Sequence, residues 1–211
     1  MVMFVQDGNP MTRRFTGILA ALSATLMVTS GAGVAASMNM ATGSITSQPI
    51  GHYEFCKAMP AECAVRPRDQ RPASLTKRLW STISSVNTSV NRAVRPLNDR
   101  DIYGKDEVWA YPTKGVGDCE DYVLEKRRVL AKKGISLANL LITVVRKPDG
   151  EGHAVLTVRT DKGDYILDNL NDTVKPWTET GYRYLKRQAS NHTGRWVSLK
   201  SEDSMMVGAL K

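Results

Sequence analysis

The sequence predicts an α+β fold, in which helices come first and an antiparallel sheet follows. Three observations lead there. Leu79, Ile83, Val86, Val90 and Val94 recur at helical spacing, and a second helical stretch runs from Asp118 to Lys133. Three β-rich runs then succeed one another, separated by short turns built on Asp and Gly. At 211 residues the chain suits one domain with a real core, and two would be cramped.

Residues 1–36 differ from the rest and read as an export signal. Arg13 and Arg14 form a positive start, Phe15 to Val34 is apolar and uncharged, and Val34-Ala35-Ala36 offers a small-residue cleavage site. A membrane anchor is the rival, since the run is near the lower length for spanning, but its Gly, Ser and Thr content favours a removed peptide. Met1 to Pro10 has no signal character, so Met11 is a candidate start. A bare arginine pair is a weak twin-arginine mark, and the general secretory route is preferred. Export places the mature chain in the periplasm.

Residues 37–74 are expected to be irregular, broken by Pro49, Pro60, Pro67 and Pro72. The first helix follows, with Thr76 as its N-cap and Pro96 as its end. Asn98 to Val116 reads as a loop carrying Trp109, Tyr111 and Pro112. In the second helix Asp118 sits at the N-cap, Glu120 and Asp121 suit the positive helix start, and Gly134 supplies the stop. The expected strands are Leu140 to Lys147, His153 to Thr160 and Tyr165 to Asn169.

The net charge is +8, or +7 without residues 1–36, which hold Arg13, Arg14 and Asp7. Lys and Arg are scattered, and export argues against nucleic acid, so a solvated basic surface is the expectation. Three cysteines in an exported chain leave one over. Cys56 and Cys63 stand close together among turn formers and are expected to pair in an oxidising compartment. Cys119 remains as a free thiol.

Cys119 lies in the first turn of a helix, after the loop from Gly115 to Gly117. There the helix dipole and unpaired N–H groups lower a thiol pKa and can hold an oxyanion. The alternative is a buried structural cysteine, but flanking Gly117, Asp118, Glu120 and Asp121 are no apolar core segment. The adjacent carboxylates oppose thiolate formation and call for a reason of their own. A cysteine nucleophile needs a histidine base and an orienting group. His52 lies in the proline-rich N-terminal part and His192 in a turn-like stretch near the C-terminus, while His153 opens a strand of the sheet after the cysteine helix and Asp168 closes the next strand. A tight hairpin centred near Lys162 and Gly163 would set His153 opposite Asn171 or Asp172, so spacing alone does not choose the aspartate.

The stretch GDCEDYVLEKRRVL, followed by HAVLTV and GDYILDN, resembles the bacterial transglutaminase-like cysteine proteinases, a family that includes periplasmic proteases releasing surface adhesins. The likeness runs over about Leu75 to Trp196, and DEVWAYP resembles the family's Trp-containing segment. It implies a papain-like, transglutaminase-like core over residues 75–211. It also implies Cys119 as nucleophile, His153 as base and Asp168 as orienter. It gives the acids a role as well: Asp118, Glu120 and Asp121 match calcium-binding positions, and hard oxygen ligands suit that ion. The bland alternative for them is an N-cap with dipole-favouring neighbours. The implied partners are a protein substrate in the cell envelope, a surface adhesin among the candidates, and a membrane-bound regulator. The Cys56 to Cys63 segment and the basic part from Tyr182 to Trp196 depart from that pattern and leave the substrate open.

The expected function is that of a periplasmic cysteine endopeptidase with calcium as cofactor. His153 would take the Cys119 proton, and the Cys119 backbone N–H would hold the oxyanion. Trp109 is a candidate wall of the acyl site, with a core role as the equal alternative. A transglutaminase or amidase would share this machinery and pass the acyl group to an amine, or act on a cell-wall peptide. A non-catalytic binding module would keep the fold alone, and loss of no phenotype in Cys119→Ala would favour it.

Overall fold

The computed structural model describes residues 38–200; the export-signal reading of residues 1–36 falls outside them. The first half holds β1 (Thr42–Thr46), α1 (Ile50–Ala58), α2 (Pro60–Cys63), α3 (Lys77–Ala93), β2 (Arg95–Pro96), α4 (Asp99–Tyr103) and β3 (Val116–Gly117). The second half holds α5 (Cys119–Lys132), β4 (Leu140–Arg146), β5 (Gly152–Thr160), β6 (Gly163–Asp168), β7 (Asn171–Pro176), β8 (Arg183–Ala189) and β9 (His192–Leu199).

Seven strands form one antiparallel sheet in the order β1-β9-β8-β4-β5-β6-β7. Alternation along the central strands divides their side chains between two faces. Leu140, Ile142, Ala154, Leu156, Val158 and Leu167 join the main core with α3 and α5. Val145, Val155 and Ile166 turn the other way, against Met40 and Trp177.

Helix α3 starts where Thr76 Oγ1 accepts the Leu79 N–H at 3.1 Å. It buries Ile83, Val86 and Val90. Two asparagines on it grip the turn after β6. Asn87 Nδ2 donates to the carbonyls of Asn171 and Asp172 at 2.8 and 3.0 Å, and Asn91 Nδ2 donates to the Asp168 carbonyl at 2.9 Å. Just past its Lys133 C-cap, helix α5 is stopped by Gly134, whose φ of +90° only glycine adopts without strain. The short parallel pair β2–β3 ties the end of α3 to the loop that precedes Cys119.

The sequence pattern showed three of the seven strands. The others, β1 and β7 to β9, are half exposed and rich in Thr, Ser, Lys and Arg, so their apolar alternation is faint. The segment at 37–74 is also more ordered than its prolines suggest. Pro49 precedes α1 and Pro60 is the first residue of α2, positions where a missing N–H costs nothing. A Cys56–Cys63 disulfide joins these two helices, and Cys119 is the free cysteine.

Candidate active site

Strand register explains how His153 and Asp168 meet. Leu156 pairs with Leu167 and Thr160 with Gly163, so the two-residue turn is Asp161-Lys162, one position earlier than the sequence suggested. Carried onward, this register sets Asp168 opposite Val155. His153 is then its diagonal neighbour on the same face, within reach of a side-chain contact without any bulge. His153 Nε2 lies 2.9 Å from Asp168 Oδ1, and both side chains are buried.

Burial works against the Asp168 carboxylate, but its donors hold its pKa below the ordinary value. These are His153 Nε2, the Leu170 N–H at 3.0 Å and the Tyr182 hydroxyl at 2.6 Å. An ionised carboxylate only accepts, so Nε2 carries the shared proton. In a neutral ring that leaves the lone pair on Nδ1.

Cys119 is the first residue of α5, and it lines the same cleft as His153, together with Asn169 and Leu170. Its Sγ donates to Glu120 Oε2 at 3.1 Å. The expected lowering of the thiol pKa is not what the surroundings produce. Burial and the charge of Glu120, with a smaller push from Asp118, drive the thiol well above its usual value; the Ala154 backbone N–H opposes them without winning.

The acids beside the cysteine part company. Asp118 stands at the N-cap position, yet its side chain makes no capping bond, and Oδ1 is buried without a hydrogen-bond partner. Carboxylate oxygens of Asp118, Glu120 and Asp99 lie within 4.8 Å of one another. Asp99 Oδ2 accepts the Val108 N–H while its Oδ1 is also buried without a partner. Burial and mutual repulsion raise Glu120 to about 9 and Asp99 to about 6. Three crowded carboxyl groups, two of which keep a buried oxygen without a hydrogen-bond partner, fit a hard divalent cation. Asp121 is placed differently. Its Oδ1 accepts the Ala110 N–H at 2.8 Å, and it packs under Gly117, so it braces the loop before the helix and stands outside the trio.

Asp99 was not legible as a site residue, because it comes from a short helix in a stretch that reads as loop. Tyr182, too, carries no signal of its own in the sequence beyond its place in a basic segment. Trp109 packs edge-on against His52 and Trp196 in the core and does not line the cleft. His52 is buried beside the disulfide, its Nδ1 accepting from Trp196 Nε1 at 3.2 Å, and burial lowers its pKa to about 4. His192 Nδ1 accepts from the Gly194 N–H. Neither of these histidines lines the cleft.

The family model of the bacterial transglutaminase-like cysteine proteinases matches residues 42–204. Among solved structures, Legionella pneumophila LapG shares 20% identity over 63% of this chain and 75% of its own, with a TM-score of 0.49. Its calcium-bound form shares 21% identity over 62% and 80%, again with a TM-score of 0.49. Its EGTA-treated form shares 22% over 60% and 74%, with a TM-score of 0.48. No curated protein matches the chain. A family match across most of the sequence, over a mixed helix and antiparallel-sheet architecture, places this chain among the bacterial transglutaminase-like cysteine proteinases and makes it a cysteine peptidase.

Proposed function

We propose that the chain is a periplasmic cysteine endopeptidase in which Cys119 is the nucleophile, His153 the base and Asp168 the orienting group. The observation that carries this reading is the buried His153–Asp168 pair, whose histidine lines the same open cleft as Cys119. Asp168 keeps the proton on Nε2, so Nδ1 is the nitrogen that accepts the Cys119 proton. The thiolate sulfur bonds to the peptide carbonyl carbon, and the oxyanion is held by the Cys119 backbone N–H at the helix start. The imidazolium returns its proton to the leaving amine as the C–N bond breaks. Water, giving a proton to Nδ1, then attacks the thioester carbon, and Cys119 leaves as the thiolate.

Asp99, Asp118 and Glu120 would hold a calcium ion. When bound, it would supply positive charge that offsets the part that Glu120 and Asp118 add to burial in raising the thiol pKa. Residues 13–36 support export, and the resemblance in the sequence supports a cell-envelope protein as substrate, a surface adhesin in particular, with a membrane-bound regulator as partner. The test compares protein termini on cells, and in their medium, with wild type and with Cys119→Ala. New termini in an envelope protein that vanish in the variant are expected. Identical termini in both would overturn the endopeptidase, and amine incorporation without cleavage would favour acyl transfer.

A further inference from the structure

We propose that Tyr182 is a positioning residue that fixes the Asp168 carboxylate and the His153 ring for proton exchange with Cys119, an inference that rests on the endopeptidase reading. Its hydroxyl donates to Asp168 Oδ2 at 2.6 Å, while Oδ1 takes His153 Nε2 and the Leu170 N–H. A carboxylate held on one oxygen can still swing about its Cβ–Cγ bond. A short bond to the second oxygen removes that freedom. The Tyr182 ring also meets the His153 ring edge-on, with centroids 5.7 Å apart and planes at 71°. One side chain therefore restrains both partners of the pair.

The sheet puts it there. Strand β4 lies between β8 and β5, and Arg146 faces Arg183 on one side and Gly152 on the other. Residue 182 thus arrives at the same end of the sheet as residue 153, although the two are far apart in sequence. The approach is built as well. Gly181 takes a φ of +71°, and the Tyr182 N–H donates to Thr180 Oγ1 at 3.3 Å. Thr180 Oγ1 in turn lies 2.9 Å from Tyr184 Oη and donates to the Trp177 carbonyl at 3.0 Å. A tyrosine present only to fill space would need neither the short bond nor this braced turn.

The test uses two readouts that require no substrate, on full mature protein with calcium present. One is the second-order rate of Cys119 alkylation by iodoacetamide at neutral pH. The other is the downfield ¹H resonance of the His153 Nε2 proton in protein labelled with ¹⁵N-histidine. Tyr182→Phe keeps the ring and loses the hydroxyl. It is expected to slow alkylation about tenfold and to move the His153 proton, with little change in melting temperature. Tyr182→Leu, which loses the ring as well, should slow it further. An unmoved proton with an alkylation rate within about twofold of wild type in Tyr182→Phe would overturn the proposal. Failure of the endopeptidase reading shows elsewhere, as envelope-protein termini that do not depend on Cys119, so the two failures are told apart.

Discussion

At the scale of single residues, the site is a competition for the Cys119 proton. The thiol now donates it in a hydrogen bond to Glu120 Oε2, 3.1 Å from Sγ, and burial and that carboxylate push the thiol pKa up. Neutralising the trio should release it. Calcium is expected to raise the alkylation rate of Cys119 over that in EGTA and to raise the melting temperature by several degrees. Asp99→Asn should blunt both responses, and a flat calcium response in wild type would contradict the ligand assignment. Asp168 has the opposite electrostatic character, kept ionised by three donors. Asp168→Asn preserves shape but lets the imidazole settle in the wrong tautomer, so a loss of roughly a hundredfold or more in Cys119 alkylation is expected.

At the scale of elements, α5 carries an unusual cargo. Lys126 is fully buried, and its Nζ has no hydrogen-bond partner and sits 5.8 Å from the Tyr122 ring centroid. Burial drags its pKa down to about 7, although Asp168 and Asp172 pull it back up. In the unfolded chain the amine regains its ordinary value of 10.5. Between these values the unfolded state holds more protons, so stability should rise as pH climbs from about 7 toward 10.5. Below pH ~7 the charged amine is penalised in full. Lys126→Met should therefore stabilise the fold by about 1–4 kcal/mol near pH 7 and flatten that rise in urea titrations at several pH values. Just before α5, a Cβ at Gly117 would stand 2.6 Å from Asp121 Oδ2. Gly117→Ala is expected to cost about 1–3 kcal/mol by displacing the brace of helix α5, read as a lower urea midpoint.

At the scale of the whole molecule, the disulfide and the sheet decide what could be read in advance. The Cys56–Cys63 loop spans 7 residues, and loops of that size contribute about 2 kcal/mol through lost freedom of the unfolded chain. A Cys56→Ser, Cys63→Ser double variant should lose about that much in denaturant titration. Helices α3 and α5 and strands β4 to β6 were legible because each buries a strong apolar face or carries plain caps and turns. The position of Cys119 at a helix start was legible for the same reason. Asp99 and Tyr182 were not, since each reaches the site through tertiary placement: Asp99 from a five-residue helix, Tyr182 through the β8–β4–β5 register. The His153–Asp168 contact lay between these cases. Its residues were visible, and its geometry depended on a turn one position away from the expected one. Edge strands β1 and β7 went unseen because half-exposed strands need no apolar alternation.

The central claim, that His153 and Asp168 activate Cys119, is tested most directly by the rate at which iodoacetamide alkylates Cys119 in calcium-loaded protein. Wild type should react faster than a free cysteine peptide at neutral pH, and His153→Ala should fall to or below the peptide's rate. A His153→Ala protein that alkylates as fast as wild type would contradict the account.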